Sequence, residues 1–313
     1  MDGKALYGAV EAGGTKFLCG IGSFEHGSLD QVRIPTATPD ETLGEVCRFF
    51  QTRIDRFGPM AALGIGSFGP LDLDPRSKRY GSLTTTPKPG WQGVDLLRAI
   101  ALPLDLPVAI NSDVNAAALA EARLAFGDEP GLLAYVTVGT GIGVGFAENG
   151  RVWTRKALPE AGHLVLRRHP RHEGFPGVCP FHGDCVEGLA SGPAIAAAWG
   201  APLDRLASDH PAWRVEADYI AQLCAALLLT AAPDRIVIGG GVFNQHALFD
   251  AVRARTLAIL SGYRDDLQSA GAIDAMIHAP ASPIPSGLGG AYLLAAAAAA
   301  SRPVSAADDI RRR

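Results

Sequence analysis

One local pattern occurs twice in this chain, and it limits the fold more than any other feature. Residues 5–11 read as a buried strand, Gly13-Gly14 as a tight turn and 15–23 as a returning strand. Residues 132–138, Gly139-Thr140-Gly141 and 142–148 repeat that order. A strand–turn–strand unit at the head of each half points to an internal duplication. Helices and strands alternate behind each unit. In the first half a helix fits 40–57, with Thr38 or Asp40 near its N-cap and Gly58-Pro59 as its stop. A short strand at 61–68, a Gly/Pro/Thr-rich loop over 69–94, a strand at 106–111 and a helix at 113–126 follow. In the second half an irregular stretch, 154–192, precedes a helix at 212–231, a strand at 235–239 and a helix ending near 260. A Gly-rich segment, 287–290, leads into an Ala-rich helix, and a polar tail read as disordered covers 302–313. The alternation makes the chain α/β.

Composition removes several function classes. Hydrophobic residues are 48% and charged residues 19% of 313, which supplies a core and opposes wholesale disorder. The net charge of −4 lacks the basic excess of a phosphate-backbone binder, so no nucleic-acid partner is expected. The longest apolar run, 291–300, is far short of the roughly 20 residues that span a bilayer, so no membrane partner is expected either. The N-terminus shows no leader pattern, and five cysteines without a signal segment indicate a reducing cytoplasm. Cys19, Cys47 and Cys224 sit in apolar stretches as small core residues.

Three glycine-rich loops follow apolar strands: Glu11-Ala12-Gly13-Gly14-Thr15-Lys16, Gly139-Thr140-Gly141-Ile142-Gly143 and Gly239-Gly240-Gly241-Val242. Each alone reads as a hairpin turn or sheet bend. Together they suit phosphate binding, because glycine lets backbone N–H groups approach an anion while hydroxyls and a lysine add donors. Gly64-Ile65-Gly66-Ser67-Phe68-Gly69 matches the dinucleotide fingerprint, but Pro70-Leu71-Asp72 follows where a helix is required. No P-loop pattern is present. Asp113 ends a strand and opens a helix, either as a plain cap or as an ionised base at the carboxyl end of a strand. His163, Cys179, His182 and Cys185 have the donor types of a tetrahedral Zn²⁺ site, the alternative being two free thiols beside two histidines. His169, His172 and Cys224 rank lower as ligands.

These motifs, in this order from Gly8 to about Ala300, resemble the ROK family of sugar kinases and sugar-responsive repressors. The quoted loops, Asp113-Val114-Asn115-Ala116-Ala117-Ala118, Glu160-Ala161-Gly162-His163 and Ile238-Gly239-Gly240-Gly241-Val242 carry the resemblance. It implies a two-domain actin-like (ribonuclease-H-like) fold with Mg-ATP and a hexose in an interdomain cleft. The expected division is 1–113, with the C-terminal helix (about 288–301) packing back on it, and 114–287. The resemblance makes Asp113 the catalytic base and Gly13, Gly14, Thr15 and Lys16 the first phosphate loop, with Glu11 near the metal-bound phosphates. It makes Thr140 and Gly141 the second loop, and brings Gly239, Gly240, Gly241, Asn244 and Pro193 to the adenosine. Glu160, His163 and Glu187 become hexose contacts, and a homodimer is implied. Glu11 and Ser112 depart from the Asp and Asn of many family glucokinases. The Cys179–Cys185 knuckle has two Cys and two His rather than three Cys and one His. The Glu11–Lys16 loop, the Cys179–Cys185 knuckle and Glu187-Gly188-Leu189-Ala190-Ser191-Gly192-Pro193 look like the bacterial fructokinase branch, which implies D-fructose as substrate, with mannose or glucose as alternatives, and Ser112 weakens the case for strong glucose binding. Two other readings are weaker. A DNA-binding sugar sensor would need a helix-turn-helix ahead of the first strand. A nicotinamide oxidoreductase rests on the 64–69 match alone.

Overall fold

The computed structural model describes residues 5–153 and 158–301, and the expected tail at 302–313 lies outside them. The chain divides into two compact units. Among the described residues the first comprises 5–125, 150–153, 158 and 282–301, and the second 126–149 and 159–281.

The first unit is built on strands β1 (Tyr7–Ala12), β2 (Lys16–Ser23), β3 (Gly27–Pro35), β4 (Ala62–Ser67) and β5 (Val108–Ser112), in the order β3-β2-β1-β4-β5. β1 pairs antiparallel with β2 and parallel with β4, and β4 is parallel to β5. The second unit carries β6 (Leu132–Val138), β7 (Ile142–Glu148), β8 (Arg151–Val152), β9 (Arg235–Gly239) and β10 (Ile277–His278), in the order β10-β9-β6-β7-β8. There β6 is antiparallel to β7 and parallel to β9, and β9 is parallel to β10. The two sheets therefore share one topology, which is the duplication expected from the two hairpins.

Local chemistry accounts for the element ends. Helix Pro39–Phe57 begins at Thr38, whose backbone N–H donates to the Glu41 carboxylate at 3.3 Å, and stops at Gly58 with φ of 95°. Trp91 anchors the long loop after β4. It is fully buried, its Nε1–H donates to the Ala37 carbonyl at 3.0 Å, and its ring packs on Phe17 and Phe68.

Several elements have no counterpart in the sequence reading, among them β3, the helices Leu96–Leu104, Val186–Ala190, Gly192–Trp199 and Ala270–Met276, and the two-residue strands β8 and β10. β3 buries only Ile34 and exposes Leu29, Gln31 and Arg33, so it lacks a continuous apolar signal. Leu96–Leu104 contains Pro103, but Asp95 caps it by accepting from Arg98 N–H at 2.9 Å.

The unit boundary also falls later than residue 113. Helix Asp113–Phe126 stays with the first unit because it packs against the C-terminal helix Ser286–Ala300 at backbone distance. A Cβ at Gly290 would overlap the Ala116 carbonyl, and one at Gly64 in β4 would overlap that of Ala291. Gly290→Ala is therefore expected to destabilise the first unit by about 1–3 kcal/mol. A lowered thermal midpoint measured by calorimetry checks this, and an unchanged midpoint contradicts it.

Candidate active site

The sequence-predicted site residues fall into two groups, one in each unit. In the first unit the β1–β2 turn is closed by Gly13 N–H donating to the Lys16 carbonyl at 2.9 Å. Thr36 holds the turn from β3: its hydroxyl donates to the Gly13 carbonyl at 2.8 Å, and its N–H donates to Thr15 at 3.0 Å. Gly14 faces open space, and Thr15 and Lys16 are exposed. The turn thus offers backbone, hydroxyl and ammonium donors on an accessible side.

Glu11 lies at the end of β1, against the N-terminus of helix Ser286–Ala300. A Cβ at Gly287 would meet its carboxyl carbon at 2.7 Å. Burial and the Asp113 charge raise Glu11 to about 7, opposed by Lys16 and a hydrogen bond from the Leu288 backbone. Asp113 opens its helix directly after β5 and accepts from Val114 N–H at 2.8 Å. Burial raises Asp113 to about 6, against that backbone hydrogen bond. It is therefore a carboxylate that is ionised at neutral pH and retains useful proton affinity.

The residues beside Asp113 have roles that the sequence reading missed. Ser112 Oγ accepts from Asn115 N–H at 3.2 Å and so caps the helix. Asn115 Nδ2 donates to Asn111 Oδ1 at 2.8 Å and to the Trp153 carbonyl at 3.2 Å. Asn111 Oδ1 also accepts from Ser112 N–H at 2.9 Å. This buried network fixes the turn that presents Asp113. The available signal was three polar residues flanking one carboxylate at the end of an apolar strand.

In the second unit the β6–β7 turn is closed by Gly139 N–H donating to Gly141 at 2.9 Å, with Thr140 exposed. Glu187 stands in the first turn of helix Val186–Ala190, and its Oε2 accepts from Ile142 N–H at 3.0 Å. A Cβ on Gly141 would sit 2.6 Å from that oxygen, so a larger residue here would require the Glu187 carboxylate to shift. Gly239 ends β9. Gly240, with φ of 93°, passes against the Val138 backbone, and Gly241–Asn244 form a 3-10 turn with Gly241 and Asn244 exposed. Gly192 N–H donates to the Gly139 carbonyl at 2.8 Å, which brings the helix Gly192–Trp199, with Pro193 in its first turn, to the same hairpin.

The four metal-ligand candidates come together. His163, Cys179, His182 and Cys185 offer donor atoms that all lie within 4.8 Å of one another. His163 Nδ1 is 3.4 Å from Cys185 Sγ and 3.7 Å from Cys179 Sγ, and His182 Nδ1 is 3.7 Å from Cys179 Sγ. Tetrahedral Zn–S and Zn–N bonds place neighbouring donors about 3.5 Å apart, so this donor set fits such an ion. The knuckle is closed by paired backbone bonds between Cys179 and Gly183. Burial pushes the Cys185 thiol up to about 11, which a bound cation would reverse. Glu160 is exposed and caps the 3-10 turn Ala161–His163, its carbonyl accepting from His163 N–H at 2.9 Å. Cys19, Cys47 and Cys224 are buried elsewhere as free thiols, as expected.

Residues 7–297 match the ROK family. The chain belongs to that family. The fructokinase of Pediococcus pentosaceus is 41% identical over 83% of this chain and 88% of its own. The fructokinase of Zymomonas mobilis is 39% identical over 94% of this chain and 98% of its own. Among solved structures, the ROK hexokinase of Thermus thermophilus superposes with a TM-score of 0.74 at 27% identity, covering 93% of this chain and 98% of its own. The twin five-stranded sheets of this ROK chain are the actin-like α/β fold expected from its motifs. Among the described residues no helix is long and apolar enough to cross a membrane.

Within this ROK chain the Ser112 cap has a measurable share in holding Asp113. Ser112→Ala is expected to cost about 1 kcal/mol of stability. Urea unfolding measures it, and Ser112→Thr, which keeps the hydroxyl, should recover most of the loss.

Proposed function

We propose that this chain transfers the γ-phosphoryl group of ATP to the 6-hydroxyl of a hexose, D-fructose foremost. The observation that carries this reading is similarity to fructokinases at 41% and 39% identity over 83% and 94% of the chain. Asp113 accepts the proton of the 6-hydroxyl as its oxygen attacks phosphorus in line. The N–H groups at Gly14 and Thr15, the Lys16 ammonium, and Thr140 with Gly141 bind the phosphates and the charge that develops on them, with Gly13 shaping the turn that presents the first of these donors. Glu11 serves the metal-bound phosphates. Gly239, Gly240, Gly241, Asn244 and Pro193 receive the adenosine. Glu160, His163 and Glu187 hold sugar hydroxyls. Glu187 spends Oε2 on Ile142 N–H, which leaves Oε1 for a hydroxyl.

His163, Cys179, His182 and Cys185 hold one structural Zn²⁺. With Nδ1 turned toward the thiols, His163 keeps Nε2 for the sugar. When bound, the ion supplies no step of the reaction; it orders a loop that has little regular structure.

Sugar-dependent ADP release with Mg-ATP tests the kinase reading against fructose, mannose, glucose and N-acetylmannosamine. Fructose should give the highest kcat/KM, and absence of turnover on every sugar would sink the proposal. Asp113→Asn should lower kcat by about 10²–10⁴-fold. Because Asp113 must be ionised to accept a proton and is raised to about 6, kcat/KM should be full above that pH. It should then fall about tenfold per unit below it, a limb that Asp113→Asn lacks. Metal analysis should find one zinc per chain. Cys185→Ser, or chelation, should remove it, lower the thermal midpoint and raise KM for the sugar more than KM for ATP.

A further inference from the structure

The second unit contains a cavity of about 390 Å³ that shares no residue with the candidate active site. Its volume lies in the range of small-molecule sites, about 300–1,000 Å³. The charged and polar lining is Arg167, Arg168, His169, Arg214, Asp218 and Arg255. Residues 167–170 form one wall, and the helices Ala212–Thr230 and Ala247–Leu260 form the others.

The four guanidinium groups are not equivalent. Arg168 donates to Asp184 at 2.6 Å, and Arg255 to Asp218 at 2.5 Å. The Arg167 and Arg214 side chains have no hydrogen bond or ion pair among the described residues. Arg167 is nevertheless fixed at its backbone. Gln222 accepts from its N–H and donates to its carbonyl, both at 3.0 Å, and donates to Asp218 at 2.8 Å. One polar network thus holds two arginines of the cavity in place. Four guanidinium groups against the carboxylates of Asp184 and Asp218 leave an excess of two positive charges.

Concentrating like charges in a concave wall raises their mutual repulsion, which an anion would relieve. The guanidinium fork matches phosphate oxygens in pairs. A phosphomonoester carries a charge of about −1.5 to −2 near neutral pH, which complements the excess. Pro170, Ala217 and Ala251 make part of the lining apolar, which suits an organic phosphate rather than the bare ion. We propose that this cavity is a binding site for a small phosphomonoester, separate from the site that would turn over substrate.

Calorimetric titration of fructose 6-phosphate tests this, with the protein saturated by Mg-AMPPNP and fructose so that the candidate active site is filled. One equivalent should bind. Arg167→Gln/Arg214→Gln replaces two exposed side chains and should weaken that binding about tenfold or more, as for the loss of two charge-assisted donors. Its kcat and both KM values, measured at initial rate before product accumulates, should be unchanged. Asp218→Asn frees Arg255 and should tighten binding. Equal affinity in wild type and double variant, or no binding to wild type, would overturn the proposal. Inorganic phosphate binding as tightly as the ester would overturn the choice of an organic phosphate. If the protein binds neither AMPPNP nor fructose, the same comparison on the protein alone still reads the cavity and leaves failure of the kinase reading separate.

Discussion

Backbone contact between the C-terminal helix and its two neighbours organises the first unit. Gly64 in β4 and Gly290 in Ser286–Ala300 remove the side chains that would hold these elements apart, so Ala291 lies against the sheet and Ala116 against the helix. Ala9, Leu18, Leu288, Ala291 and Tyr292 fill the contact as one apolar cluster. Two functional features hang on this approach. Gly287 and Leu288 are brought to the Glu11 carboxylate, and helix Asp113–Phe126 is held at a fixed height above the strand ends. A looser contact would displace both carboxylates together.

The same packing sets their proton affinity. Glu11 and Asp113 are raised chiefly because burial removes water from the charged form, and Glu11 is raised further by the charge of Asp113. Lys16 and the N–H of Leu288 oppose the rise at Glu11, and the N–H of Val114 opposes it at Asp113. The outcome is two neighbouring acids that are both raised toward neutrality. Cationic substrate components would lower both. Asp113 opens a helix, where N–H groups favour the anion.

Legibility in the sequence followed the strength of the local signal. Both hairpins could be read because apolar strands flank glycine turns, and matching sheet orders then came from the duplication. β3 could not, because an edge strand that alternates Leu29, Asp30, Gln31, Val32 and Arg33 needs no apolar face of its own. Pro103 hid Leu96–Leu104 although Asp95 caps it. The metal-type cluster was legible from residue type and spacing, and its four donors do converge. The Asn111–Asn115 network was not, because it depends on which side chains face inward at the end of β5. Nor could spacing reveal that Glu187 is tied to Ile142, since that bond joins a helix to a hairpin distant in sequence. The cavity around Arg167 and Arg214 likewise exists only once two helices and a loop converge.

Helix Val186–Ala190 links two properties that a sugar kinase must balance. Cys185 caps it, Glu187 lies in its first turn, and Val186 N–H donates to the Leu164 carbonyl beside His163 at 2.9 Å. Donor atoms of the metal-type cluster and a candidate sugar carboxylate are therefore separated by one helical residue. Any change that shifts Cys185 also shifts Glu187, and Glu187 is held on its other side by the β6–β7 turn through Ile142. A metal at the cluster would fix one end of this short helix while the hairpin fixes the other. A five-residue helix has little stability of its own, so its position is set by those two attachments together with the burial of Val186, Leu189 and Ala190. A change at either attachment would therefore be felt at the Glu187 carboxylate.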